Sequence, residues 1–328
     1  MKVRYVSALF VACVASPAIA QDLATPKCPP GPPIAATVAQ DACQQAFDVY
    51  QFMAPQLGLA LTGGNATVGQ GGVLGGPGHF SIGVRVNGFH GKLPDLTDPA
   101  FAQSVSGAQR RTLPTTDEWV GLPTADAAIG IFKGFPLGLS NVLGLDGLVS
   151  LSYVPTLSQD DFSVTPNSNF QFGYGARLGL LSESIVTPGL SFTWLQRDLP
   201  KTDLVANLGG GASLSVTDTK VSTKAWRVVA SKNLVMFSVA AGIGQDRYEQ
   251  SAIVRGSVSG VTAEAPGTSE SLSRVNFFGD FAYNLPLLKI ALEVGHATGG
   301  TVQTYNSFSG GRADQSYTYG SLGLRLSY

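Results

Sequence analysis

From His79 to the C-terminus, apolar residues and small or polar residues alternate over stretches of about ten positions. Successive side chains of an extended chain point to opposite faces, so this period predicts strands with two unlike surfaces. Phe80, Ile82, Val84 and Val86 alternate with Ser81, Gly83, Arg85 and Asn87. Phe170, Phe172, Tyr174, Ala176, Leu178 and Leu180 alternate with Gln171, Gly173, Gly175, Arg177 and Gly179. The same rhythm runs through Val275, Phe277, Phe281 and Tyr283, through Leu288, Ile290, Leu292 and Val294, and through Leu322, Leu324, Leu326 and Tyr328. Weaker alternation at 124–132, 145–154, 188–198, 219–231 and 234–249 brings the expected number of strands to ten.

The connectors alternate too. Short ones fall at 133–144, 182–187, 232–233 and 285–286, and long polar ones at 89–123, 155–169, 199–218, 250–270 and 298–315. Short turns at one end and long loops at the other are the layout of a bacterial outer-membrane barrel. A soluble β-sandwich also alternates, but its inward face is apolar. Here one face is small or polar, and the other is aliphatic with an aromatic on most segments (Phe80, Tyr153, Tyr174, Trp194, Trp226, Tyr283), as a lipid-facing girdle requires. The expected fold is therefore all-β, a transmembrane antiparallel barrel over 79–328.

Residues 1–78 follow other rules. Met1-Lys2-Val3-Arg4, the apolar run Tyr5–Ala15 and Ala18-Ile19-Ala20 before Gln21 have the layout of a secretory signal peptide, with cleavage expected after Ala20. A competing lipoprotein box at Leu9–Cys13 has Phe10 where a small aliphatic residue is normal. Removal of the signal leaves Cys28 and Cys43 in a compartment where disulfides persist, and they are expected to pair. Pro29, Pro30, Pro32 and Pro33 stiffen the start of the 21–78 segment. Val38, Ala42, Ala46, Val49, Tyr50 and Met53 then recur at helical spacing, predicting an amphipathic helix over 36–54 that Pro55 stops. Leu57–Leu61 reads as an optional extra strand that, with a partner, would raise the count to twelve. The glycine-rich run 63–78 lacks the Gly-Lys-Ser/Thr ending of a phosphate loop and is expected to pack against the barrel wall as a periplasmic or lumenal plug.

Composition narrows the function. Only 13% of residues are charged, against about a quarter in an ordinary soluble domain, so a large soluble enzyme is disfavoured. The 40 glycines show no three-residue period, which excludes collagen. The formal net charge of −1 becomes about −3 without Lys2 and Arg4, so no positive field is available for nucleic acid. Beyond the signal no apolar run is long enough for a membrane helix, and membrane entry requires a closed barrel.

Two resemblances add to this. The ending Gly320–Tyr328, with Leu322, Leu324, Leu326 and terminal Tyr328, resembles the C-terminal strand by which bacterial outer-membrane proteins are recognised for assembly. That implies outer-membrane lipid and the barrel assembly machinery as partners. A glycine-rich amino-terminal segment ahead of a barrel, over about residues 40–90, resembles in arrangement the hatch of the FadL/TodX family, which carries hydrophobic compounds across the outer membrane.

The chemistry expected of the site is binding rather than catalysis. His79 falls at the short-turn end; His90, with Asp95 and Asp98 after it, and His296, with Thr298, fall at the long-loop end, none with a nucleophile signature. No catalytic residue, metal ligand or cofactor is expected. Arg85, Arg177, Arg227, Asp280, Glu293 and Arg325 fall on the inward face three to six residues from the short-turn end of their segments. They are expected to form a lumenal charge belt, four arginines against two acids, that selects a permeant or holds the plug through Asp41 and Asp48. The leading expectation is a monomeric outer-membrane passage for small, apolar molecules, gated by the N-terminal segment. A closed structural or surface-interaction barrel and a lipid-modifying enzyme are the alternatives.

Overall fold

The computed structural model describes residues 24–31, 34–158, 161–209 and 211–328. The signal-peptide reading and the mature start at Gln21 fall outside these residues. Ten long strands form the wall: β1 Phe80–Pro94, β2 Thr115–Phe132, β3 Gly144–Tyr153, β4 Phe170–Leu181, β5 Gly189–Asp198, β6 Ala212–Leu234, β7 Phe237–Val258, β8 Ser269–Asn284, β9 Leu288–Ala297 and β10 Tyr317–Ser327. Each pairs antiparallel with its chain neighbours, and β10 returns to β1 over Ser81↔Ser327 to Phe89↔Tyr319. At the seam Phe80 and Tyr328 exchange backbone hydrogen bonds of 3.1 and 3.0 Å. The sheet is closed, so no edge is left unpaired in lipid.

The two faces sort as the alternation requires. Ile82, Val84 and Val86 on β1 point outward beside their partners Leu326, Leu324 and Leu322 on β10, all exposed. Ser81, Arg85 and Asn87 point inward and are buried. A one-residue slip would exchange these sets, which fixes the register strongly.

Strand ends differ from expectation at the long-loop side. β2 begins at Thr115 rather than 124, and β6 and β7 run for 23 and 22 residues. About ten tilted residues suffice to cross a bilayer, so these strands stand well beyond it. There they are joined by the short strands Phe162–Pro166, Thr202–Gly209 and Val261–Glu264. The turn between β6 and β7 is Val235-Met236, not 232–233.

Helix α1, Ile34–Thr62, occupies the upper lumen and packs mainly against β6 and β7. It does not stop at Pro55, and Leu57–Leu61 is its last turn rather than a strand, so the wall has ten strands and not twelve. The reason is burial: Leu59 and Leu61 are sealed against Phe89, Leu122, Val221 and Tyr319, and this outweighs the backbone hydrogen bond lost to proline. Nor is the helix two-faced, because wall surrounds it, and Asp41, Gln44, Gln45, Asp48 and Gln56 are as buried as Ala42, Ala46 and Tyr50. The wall meets the helix backbone at Gly256, where a Cβ would lie 2.1 Å from the Cys43 nitrogen. Phe52 stacks on Phe308 at 4.0 Å within an apolar core shared by the helix, β6, β7 and the long loops. Cys28 and Cys43 are joined by a disulfide, with Cα atoms 5.9 Å apart.

Candidate lumenal latch

The helix enters from the long-loop mouth. Arg110 donates to the Ala24 carbonyl at 2.9 Å, and Thr37 donates to the Val105 carbonyl at 3.0 Å. After Thr62 the chain turns at Gly63 and Gly64, the latter at φ +78°, and runs on toward the short-turn rim and β1. It therefore traverses the barrel from one end to the other.

Asp41 and Asp48 consequently sit at loop level, above the belt, and do not hold the plug to it as the sequence suggested. Asp41 accepts from the Ser104 and Gln109 amides at 2.7 and 3.2 Å and pairs with Arg111 at 2.8 Å. Asp48 accepts from the Tyr305 and Asn306 amides at 2.9 and 3.0 Å and from Asn306 Nδ2 at 2.8 Å. Burial raises both carboxyls above the ordinary carboxylate range, Asp48 to about 7, against the lowering effect of these hydrogen bonds. These residues pin the long loops to the helix.

Below the helix the wall holds the plug by its backbone. All six belt residues named from the sequence are buried on the lumen side. Arg85 pairs with Asp126 at 2.5 Å and donates to the Gly63 carbonyl at 2.6 Å. Arg177 pairs with Asp146 at 2.7 Å and reaches Thr67 Oγ1 at 2.6 Å and the Gln70 carbonyl at 3.2 Å. Arg227 lies 4.0 Å from Asp246 and 3.8 Å from Glu293 and donates to the Thr62 carbonyl. The acids take the amides: Glu293 accepts from Asn65 at 2.9 Å, Asp280 from Gly69 at 3.0 Å and Asp146 from Leu74 at 3.1 Å. Arginines grip carbonyls and carboxylates grip N–H groups along residues 62–74, with Thr67 and Asn65 adding side-chain acceptors to Arg177 and Arg227.

Four members of this set escaped the sequence reading. Asp126 and Asp146 lie on weakly alternating strands, Asp246 lies on β7, and Arg197 donates to the Leu61 carbonyl at 3.1 Å while pairing with Asp126 at 3.4 Å. Their inward phase was available, since Asp146 is the Cα partner of Arg177 and Asp126 lies two residues from Thr124, the partner of Arg85. With them the belt is no longer four arginines against two acids: Arg85, Arg177, Arg197, Arg227 and Arg325 are joined by Asp126, Asp146, Asp246, Asp280 and Glu293, and the buried Arg274 is the Cα partner of Asp246. Asp280 and Glu293 are opposed as Cα partners, and Glu293 also faces Arg227 at 3.8 Å. Arg325 is brought to no partner: none of its three guanidinium nitrogens makes a hydrogen bond among the described residues.

The histidines lie away from the lumen. His90 packs on Trp119 at 4.0 Å and His296 meets Thr318 Oγ1 at 3.1 Å, both on the outer surface, while His79 is exposed at the short-turn rim. Among the described residues no cluster of potential metal ligands occurs. At the short-turn end a polar vestibule of ≈ 370 Å³ opens beneath the plug, lined in part by Lys133, Lys232, Lys289 and Glu183.

A closed ten-stranded antiparallel barrel with an apolar outer band and its own N-terminal segment in the lumen is a barrel of the bacterial outer-membrane class. The particular relatives are distant. No protein-family model matches the chain, and no curated protein matches it either. Among solved structures, similar chains include the translocator domain of the autotransporter NalP from Neisseria meningitidis, at 10% identity and a TM-score of 0.40 over 90% of this chain and 100% of that one. The Pseudomonas putida toluene transporter TodX aligns at 12% identity and a TM-score of 0.35 over 91% and 98%. The Ralstonia pickettii toluene transporter TbuX aligns at 11% and 0.30 over 82% and 92%.

Proposed function

We propose that this protein resides in the bacterial outer membrane as a monomeric passage for small, apolar molecules, closed at rest by its N-terminal segment. The observation that carries the reading is the latch. The wall around residues 62–74 combines ion pairs, serines, asparagines and glycines with a few small apolar contacts, and it touches the plug largely through reversible backbone hydrogen bonds. A wall of that kind accepts water when the plug shifts, whereas an apolar one would not. The upper lumen, by contrast, is packed shut, with Phe101, Leu113, Leu214, Leu272 and Phe308 buried in the core they share with α1. Opening consists of local release of the glycine-rich stretch, because α1 stays tied to the loops. No step of this reading calls for catalysis or a cofactor.

Val68 packs against Ala282 and Ala291 of the wall, which offers a lock. Cells producing a Val68→Cys/Ala291→Cys variant are expected to lose uptake of an apolar fluorescent dye under oxidising conditions and regain it with reductant. Cells producing the unaltered protein are expected to admit the dye under both. Equal uptake by locked and unlocked protein would favour a closed structural barrel instead.

A further inference from the structure

We propose that Arg85 and Arg325 hold a single small inorganic anion, of chloride size, in the space between plug and wall. The two arginines line one partly open cavity of ≈ 20 Å³ together with Ala66 and Val68 of the plug and Gly83 and Gly323 of β1 and β10. Both arginines are buried, with Arg85 at 4% and Arg325 at 6% exposure. Four of their nitrogens, Arg85 Nη2 and Arg325 Nε, Nη1 and Nη2, have no hydrogen-bond partner among the described residues. A buried, unpaired guanidinium is strongly unfavourable and calls for a counter-charge.

The nearby acids supply it only in part. Asp126 borders the same cavity, but Oδ2 is taken by Arg85 Nε at 2.5 Å, and Oδ1 by Ser150 Oγ at 2.6 Å and Arg197 Nη2 at 3.4 Å. Asp280 gives Oδ2 to the Gly69 amide and stands opposite Glu293; its Oδ1 acts on Arg325 through space without a hydrogen bond. The Cα partner of Arg325 on β9 is Lys289, another cation, which also lines the vestibule below. The local excess is thus positive.

Size and hydrogen bonding identify the occupant. About 10–15 Å³ of such space holds one water-sized particle, so a monatomic anion fits and a phosphate or organic acid does not. Water is the poorer match. Guanidinium groups only donate, and a water molecule here must also place its own two hydrogens on acceptors. A halide accepts from several donors at once and needs none in return.

Because Ala66 and Val68 form one side of the site, displacing the plug opens it. On the gated-passage reading above, occupancy and closure then favour each other by the same factor.

Diffraction from crystals of the full chain grown in bromide tests the site directly. The expected result is an anomalous peak within hydrogen-bond reach of both arginines; an ordered water there without anomalous signal overturns the proposal. In detergent at constant ionic strength, the melting midpoint is expected to rise with each tenfold increase in chloride and to stay level in gluconate. Arg325→Gln is expected to abolish that rise, and equal midpoints in the two salts for the unaltered protein would also overturn the proposal. Should Arg325→Gln fail to fold, the bromide result decides. A peak accompanied by chloride-independent dye uptake would set aside the gate and leave the anion site standing.

Discussion

The two halves of the lumen are filled by the same polypeptide in opposite ways. In the long-loop half, α1 is held as an element of a soluble protein is held, by aromatic stacking, aliphatic packing, a disulfide and carboxylates that cap loop amides. In the short-turn half, a glycine-rich stretch is held largely by charged wall residues acting on its backbone, with small apolar contacts at Ala66, Val68 and Leu74. Apolar packing is lost steeply as a piece moves, and its partners fit one position only. Hydrogen bonds from a polar wall can be exchanged one at a time for water, with a net loss of about 1 kcal/mol each. The upper half is therefore an anchor and the lower half a release point.

Substitution separates the two. Phe52→Ala removes a fully buried ring stacked on Phe308 and is expected to destabilise the upper half by about 3–5 kcal/mol, seen as a lower melting midpoint and earlier proteolysis of the long loops. An effect below about 1 kcal/mol would show that the upper half is not packed as a core. Asp146→Asn leaves Arg177 buried without its partner, for which about 3 kcal/mol is expected in a dry lumen and much less in a wet one. Asp280→Asn is expected to do less than Asp146→Asn, since Asp280 faces Glu293 rather than an arginine. Equal effects would blur the distinction between paired and opposed acids. Breaking the 28–43 bridge by Cys→Ser at both positions relaxes a loop of sequence separation 15, worth about 3 kcal/mol in the chain-entropy model and read as proteolysis near residue 30.

Smaller effects come from protons and from the seam. With Asp48 raised to about 7, the folded protein keeps a proton that the unfolded chain releases near pH 4. Stability is thus fullest at low pH, declines as pH climbs from about 4 to about 7, and levels off above. The slope is on the order of 1 kcal/mol per pH unit, Asp41 adds to it with the same sign, and Asp48→Asn should flatten it in melts across that range. Last, deleting Tyr328 removes one ring pair with Phe80, at 6.0 Å, and the paired backbone bonds at the seam. Melting of protein already folded should change by about 1 kcal/mol or less, whereas the amount assembled in cells should fall.

How far these features could be read from the chain depended on which solvent each residue met. Lipid demands an apolar residue at every second position, so Ile82, Val84 and Val86 declared their strand and its phase without help. Past the bilayer that demand lapses, and the ends of β2, β6 and β7 were invisible because Thr115–Glu118 and Gln250–Val258 meet water and loop rather than hydrocarbon. Pro55 misled for a related reason. Helix-breaking is a local preference, and encirclement by wall is a tertiary effect that local sequence does not carry. Large inward arginines stand out among glycines, but Asp126 and Asp246 do not, and without them the lumen reads as more positive than it is. Arg325 was legible as a lumen residue, and its lack of a partner was not.

The direction of α1 has a consequence for how the molecule is made. Ala24 lies at the long-loop mouth and Phe80 at the opposite rim, so the stretch between them passes once through a ring that is sealed only where β10 meets β1. In the chain the passing stretch precedes all ten wall strands, and the ring-closing strand follows the other nine. A closed ring offers no sideways entry, so residues 34–79 reach the axis either before Tyr328 meets Phe80 or by threading lengthwise through a mouth of the barrel.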